Sequence, residues 1–187
     1  MQAVIMAGGK GTRLASVTKD IPKPMVQIDG KPLLQYQIEN LRDNGVLNII
    51  LIIGHLGYVI REYFGDGSKF GVKISYFEEE SPLGTAGALS EIKSKLEDDF
   101  FLVFGDLFLN VNFKRFRDFH LDKDALITLF VHPNSHPYDS DIVVVNENQC
   151  VVEWSYKNSE RKKDYDNLVN AGLYVINKKL IESLPLH

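Results

Sequence analysis

Short apolar runs alternating with amphipathic stretches constrain this chain more than anything else in it. Ala3 to Ala7, Ile49 to Ile53, Val72 to Phe77, Phe100 to Phe104 and Ala125 to Val131 have strand length and strand composition. Between them lie helical patterns. Pro32-Leu33-Leu34 opens one whose Leu34, Ile38 and Leu41 share a face, with Gly45 as its C-cap. A short amphipathic helix is expected around Val59, Ile60 and Phe64, and others near residues 86–96 and 112–119, the last with Phe113, Phe116 and Phe119 as a buried face. Strand, helix, strand in repetition means right-handed crossovers and a mostly parallel sheet with helices on both faces, an α/β fold. Ligands of such sheets sit at the carboxyl ends of strands. Gly8 and Asp106 each follow a predicted strand, so both fall at that edge.

The loop after the first strand reads MAGGKGTRLASVTKDIPKPM over residues 6–25. Gly8, Gly9 and Gly11 let the backbone turn with no Cβ in the way, so N–H groups can approach an anion. The phosphate-binding P-loop pattern fails because Gly11 rather than Ser or Thr follows Lys10. The dinucleotide fingerprint fails because Leu14 stands where its third glycine belongs. Pro22 and Pro24 bracket Lys23, which predicts a lysine aimed from a stiff, extended segment. A glycine-rich turn can also serve only to close a βα unit, and Pro-x-Pro also occurs in plain linkers.

At 187 residues, 44% hydrophobic and 25% charged, the chain suffices for one globular domain. Its net charge of −4, with a pI near 5.7, and the lack of any basic run argue against nucleic acid or an anionic membrane as partner. Cys150 is the sole cysteine, no apolar run reaches membrane-spanning length, and no basic n-region precedes the apolar start, so a cytoplasmic setting is expected. Ile142 to Val145 and Cys150 to Trp154 read as a hairpin around Asn146-Glu147-Asn148-Gln149, and Ala171 to Ile176 as a further strand. His132 and His136, with Asp139 and Asp141, superficially suggest a metal cluster. Prolines interrupt the segment, and an ordinary loop is the expectation. His55 after Gly54 reads as a strand-end residue. No Gly-x-Ser-x-Gly elbow is present, so hydrolase chemistry starts without a nucleophile.

Gly-Gly-x-Gly-Thr-Arg-Leu followed by Pro-Lys-Pro-Met resembles the sugar nucleotidyltransferases, which join a nucleoside triphosphate to a sugar 1-phosphate. Three later segments extend the resemblance: Ser81-Pro82-Leu83-Gly84-Thr85-Ala86-Gly87-Ala88 to the base loop, Phe104-Gly105-Asp106 to a metal-bearing strand end, and Asn170-Ala171-Gly172-Leu173-Tyr174 to the sugar-side strand. The resemblance implies a Rossmann-like three-layer α/β/α fold with a small β-rich sugar-binding extension, the nucleotide-diphospho-sugar transferase fold. It implies one domain over 1–187, with residues 1–110 as nucleotide half and 111–187 as sugar-phosphate half. Arg13, Lys23 and Asp106 are then catalytic, with Asp106 holding Mg²⁺. Ala7, Gly8, Gly9, Gly11, Thr12, Glu79, Pro82, Gly84 and Thr85 bind the nucleotide, and Lys157, Asn170 and Gly172 the sugar phosphate.

Two departures qualify it. Tyr156-Lys157-Asn158 stands where the family has Glu-Lys-Pro, which leaves Lys157 open as a plain surface lysine; Arg161, Lys162 and Lys163 read as solvated. No segment matches the family's second metal aspartate, which predicts a C-terminally incomplete family domain with a weakly held metal. The spelling Ser-Pro-Leu-Gly-Thr-Ala-Gly-Ala-Leu and Lys-Asp-Ile-Pro-Lys-Pro-Met most resembles guanylyltransferases of mannose or heptose 1-phosphate. Uridylyl-, thymidylyl- and cytidylyltransferases, choline-phosphate cytidylyltransferase and a catalytically weak nucleotide-sugar binding domain stay open, as does the oligomeric state.

Overall fold

In a strand buried on both faces, successive side chains need apolar neighbours on opposite sides, and β1 (Gln2–Met6) has them. Ala3, Val4 and Ile5 are fully buried. The computed structural model describes residues 1–9, 21–134, 140–158 and 167–185. After β1 come a 3-10 turn at Lys23–Met25, a small hairpin of β2 (Gln27–Ile28) and β3 (Lys31–Pro32), and α1 (Leu33–Asp43). β4 (Asn48–Ile53), α2 (Gly57–Phe64), β5 (Lys73–Glu78), α3 (Gly84–Glu91), β6 (Asp99–Phe104) and α4 (Phe113–Lys123) follow. The chain ends its described course with β7 (Ile127–Pro133), β8 (Ile142–Val145), β9 (Val151–Ser155), β10 (Leu168–Asn177) and α5 (Lys178–Ser183).

Two compact units result, one from Met1–Thr128 with Tyr174–His187, the other from Leu129–Leu173. In the first, strands run in the order β5-β4-β1-β6-β10, with β10 contributing its residues from Tyr174 onward. β1 pairs in parallel with β4 and with β6, and β4 with β5. One sheet face carries Val4, Ile50, Ile52, Phe100 and Leu102, packed against Ala88 and Leu89 of α3 and Ile181 of α5. The other carries Phe101, whose ring meets Phe113 of α4 edge-on at 5.1 Å and stacks on Phe116 at 6.3 Å. Helices therefore cover both faces, giving three layers. Each such buried valine, leucine, isoleucine or phenylalanine side chain contributes about 1.5–3 kcal/mol over leaving it in water.

Helix α1 stops where expected. Gly45 takes φ +80, and its N–H donates to Arg42 O while Val46 N–H donates to Leu41 O, a Schellman ending. The second unit is β-rich and antiparallel, with β8 pairing β9 through Ile142↔Ser155 and Val143↔Trp154, and pairing β10 at Val169↔Ile142. Its hairpin turn is held by Asn146 Oδ1, which accepts from Asn148 N–H and Cys150 N–H. Mostly parallel strands, flanking helices and this β-rich addition match the fold class expected from sequence. Among the described residues no helix is long and apolar enough to cross a membrane.

Candidate functional site

The chain builds the sheet outward from β1 through β4 to β5, then returns to place β6 on the other side of β1. Strand order reverses between β1 and β6, and a crevice outside their carboxyl ends is where such sheets receive ligands. The two ends are level: Met6 pairs with Phe104, and Gly105 N–H donates to Met6 O at 2.9 Å. A Cβ on Gly105 would lie 3.0 Å from Met6 O, 3.3 Å from Pro24 Cγ and 3.4 Å from Ala7 Cα. Only a hydrogen fits comfortably, so Gly105 is what lets β1, the Pro22–Pro24 segment and the Asp106 turn converge.

Lys23 is not on an extended segment, which corrects the sequence reading. It begins the 3-10 turn Lys23–Met25, closed by Met25 N–H to Pro22 O at 2.8 Å and Val26 N–H to Lys23 O at 3.2 Å. Pro24 fits because the first residues of a helical turn need no N–H partner. The bracing role survives in another form. Pro22, Pro24 and Met25 are buried, so the backbone beneath Lys23 is anchored while its side chain projects to an ion pair with Asp106. The two side chains are 34% and 39% exposed, so arriving charges can reach both.

A third strand end joins them through Glu79, the residue after β5. Its N–H donates to Ile53 O at 2.8 Å and its Oε1 accepts from Leu83 N–H at 3.1 Å, fixing the start of the loop that leads into α3. Gly8 lies directly against it: a Cβ there would fall 2.6 Å from Glu79 Oε2 and 3.2 Å from Gly54 N. Ala7 is buried and donates its N–H to Ile52 O at 2.7 Å, whereas Gly9 is exposed, and a Cβ there would meet none of the described residues within 4 Å. Pro82 and Gly84 are exposed, Thr85 is half-buried, and Gly84 opens α3 at φ +68, a conformation that disfavours other residues. Of the expected nucleotide-side residues, Ala7, Gly8, Gly9, Lys23, Glu79, Pro82, Gly84, Thr85 and Asp106 all belong to the first unit. Gly11, Thr12 and Arg13 lie outside the described residues.

In the second unit Lys157 is exposed just past β9, and its N–H donates to Asp141 Oδ1 at 3.0 Å. On β10, Asn170 Oδ1 accepts from Gly172 N–H at 3.0 Å, with Gly172 at φ +75. His132 belongs to β7 rather than to a loop, a second correction, and its Nδ1 donates to Pro133 O at 2.8 Å. His136, Asp139 and Arg161 to Lys163 lie outside the described residues. Among the described residues no three His, Cys, Asp or Glu side chains gather around a metal-sized space. Asp106 nonetheless suits Mg²⁺, since it is an accessible hard oxygen donor and that ion commonly takes one or two carboxylates and completes its shell with phosphates and water.

Sequence reasoning overlooked the contact of Pro24 with Gly105 and the role of α1. Gln37 on that helix donates through Nε2 to the backbone carbonyls of Phe104 and Leu107. The glycine in Phe-Gly-Asp was a visible signal for the first, but nothing local announced the second.

The family model for nucleotidyl transferases matches residues 2–185. This chain belongs to that family. As a nucleotidyl transferase it is similar, at 34% identity over 99% of its length, to mannose-1-phosphate guanylyltransferase of Mycobacterium tuberculosis, and spans 51% of that protein. It is 33% identical over its whole length to D-glycero-alpha-D-manno-heptose 1-phosphate guanylyltransferase of Campylobacter jejuni, covering 80% of it. The crystal structure of HddC from Yersinia pseudotuberculosis complexed with GMP-PN superimposes with a TM-score of 0.81 at 31% identity, over 99% of this chain and 80% of that one. This nucleotidyl transferase thus spans about half of its mannose-type relative and four-fifths of the heptose type.

Proposed function

We propose that this protein transfers a guanylyl group from GTP to a sugar 1-phosphate of the heptose or mannose type, releasing pyrophosphate. The observation that carries the reading is the Lys23–Asp106 pair at the strand-order reversal, beside the turn at Gly8 and Gly9 that leaves β1. An oxygen of the sugar phosphate attacks the α-phosphorus; the new P–O bond forms as the bond to the bridging α–β oxygen breaks, and pyrophosphate carries that electron pair away. No protein nucleophile is required, so the residues contribute position and charge.

In this reading residues 1–110 serve the nucleotide and 111–187 the sugar phosphate. Backbone N–H groups around Gly8, Gly9, Gly11 and Thr12 cradle the triphosphate, and Arg13 neutralises the departing pyrophosphate. Glu79, Pro82, Gly84 and Thr85 line the nucleoside end. Lys157, Asn170 and Gly172 meet the sugar phosphate. Mg²⁺ held by Asp106 supplies neutralisation of the phosphate oxygens when bound. Lys23 must then exchange Asp106 for the α-phosphate and the incoming sugar phosphate. Exposed ion pairs contribute only about 0–1 kcal/mol, so that exchange costs little. A cytoplasmic setting suits the lone, exposed Cys150 thiol and the cytosolic supply of nucleoside triphosphates.

Pyrophosphate release measured with GTP, UTP, dTTP and CTP against heptose, mannose and glucose 1-phosphates tests this directly. Turnover is expected with GTP and one of the first two sugars. Release with none of the combinations, at protein concentrations high enough to detect single turnovers, overturns it. Lys23→Ala is expected to lower turnover by a factor of about 10² or more.

A further inference from the structure

Asp106 occupies the third position of a four-residue turn, Phe104 to Leu107, closed by Leu107 N–H to Phe104 O at 3.3 Å. The first and last carbonyls of that turn both accept from one side chain, Gln37 Nε2, with Phe104 O at 2.9 Å. Gln37 is 4% exposed, and both its amide hydrogens are used. Residues three and four apart share a helix face, and on α1 that face continues with Asn40 and then Asn44, the residue capping its C-terminus. Asn40 Nδ2 donates to Leu109 O at 2.9 Å, and Asn44 Oδ1 accepts from Phe113 N–H at 3.2 Å, the first residue of α4. One stripe of amides thereby ties down the chain from Phe104 to Phe113.

We propose that Gln37 is a positioning residue for the metal-binding carboxylate, acting by clamping both ends of the turn that carries Asp106. The proposal rests on the functional reading above. Past Gly105, whose N–H donates to Met6 O, the turn leaves the strand ladder, and without the clamp Asp106 samples a wider arc. The two carbonyls accept and do not donate, so only a side chain with two hydrogens on one atom serves both. Glutamate would set carboxylate oxygens against them, and methionine would fill the volume but take the Gln37 hydrogen bond from both, leaving Phe104 O only the long bond from Leu107 N–H.

The test is Mn²⁺ binding to the protein with GTP present and sugar phosphate absent, read by electron paramagnetic resonance on wild type, Gln37→Met, Asp106→Asn and Leu41→Ala. Leu41 is fully buried on the same helix and its aliphatic side chain cannot hydrogen-bond the Asp106 turn, so its variant reports the effect of lost stability. Expected are about tenfold weaker Mn²⁺ binding in Gln37→Met, a larger loss in Asp106→Asn, and wild-type affinity in Leu41→Ala despite its lower melting temperature. Folded Gln37→Met with wild-type affinity, or a Leu41→Ala loss as large as that of Gln37→Met, overturns the proposal. Should Gln37→Met not fold, Asn40→Ala carries the same comparison, with a two- to threefold loss expected and none overturning it. If Asp106→Asn binds as wild type does, or wild type binds no Mn²⁺ with GTP, the metal reading itself fails and the clamp's role in it with it.

Discussion

Gly8 stands where three demands meet: a close approach to the Glu79 carboxylate, contact with the Gly54 backbone, and an exposed turn beyond β1. Alanine there is expected to push Glu79 aside and release Leu83 N–H, lowering nucleotide affinity by about tenfold. The fold itself should lose only about 1–3 kcal/mol, because Glu79 can swing while the Gly54 backbone shifts slightly. Isothermal titration with GTP beside a urea melt separates the two effects. Glu39 makes a different point. Burial alone raises its carboxyl pKa, but hydrogen bonds from Lys31 and Gln35, both at 2.7 Å, and the charges of Lys31 and Arg42 outweigh it and hold the group below the usual carboxylate range. A carboxyl lowered on folding stabilises fully above its unfolded value, about 4.3, and loses that contribution as pH falls through the lower folded value. Glu39→Gln should therefore flatten the acid limb of the stability curve, seen as urea midpoints that depend less on pH below about 4.3.

Helices α4 and α5 are each fastened at the N-terminus by an asparagine cap as well as by a buried face. Asn112 Oδ1 accepts Arg115 N–H at 2.9 Å to start α4, and Asn177 does the same for Lys179 N–H in α5 while its Nδ2 reaches Asp99 at 2.7 Å. Loss of the first cap in Asn112→Ala should cost about 1 kcal/mol, measurable as a urea midpoint shift with unchanged m-value. The strands of the parallel sheet were legible in advance because two-sided burial demands apolar runs, and β1, β4 and β6 leave no polar residue inside them apart from their first positions. β2 and β3 were not, since two residues apiece are too few to show a period, although Asp29-Gly30 with φ of 48 and 81 was a readable turn signal. The Lys23 turn was misread because the proline rules speak of φ and of preceding residues, and a 3-10 turn satisfies them with its first residues. The strand-end places of Gly8 and Asp106 were readable from short motifs, whereas Glu79 was named only through the family resemblance. Gln37 was not: its partners sit on a distant segment, and an amide among the polar positions of an amphipathic helix looks like solvent-facing surface.

The first unit is not continuous in the chain, for it needs Tyr174 onward to finish. Ile176 and Ile181, 3% and 4% exposed, belong to the same apolar cluster as Val4 and Phe100. A chain ending at Leu173 should consequently lose the cooperative urea transition, while one with only Ile181→Ala keeps it at a cost of about 2–5 kcal/mol. Met6 and Phe104, the residues whose ends bracket the candidate site, are paired across most of the unit's sequence. Such long-range pairing is slow to form because loop-closure entropy must be met before any contact rewards it. A nucleotide that needs both strand ends has nothing to bind until that pairing exists. Ligand then acts as a reporter of completed folding: by mass action it raises the melting temperature in proportion to the logarithm of its concentration, and the unfolded chain competes for none of it.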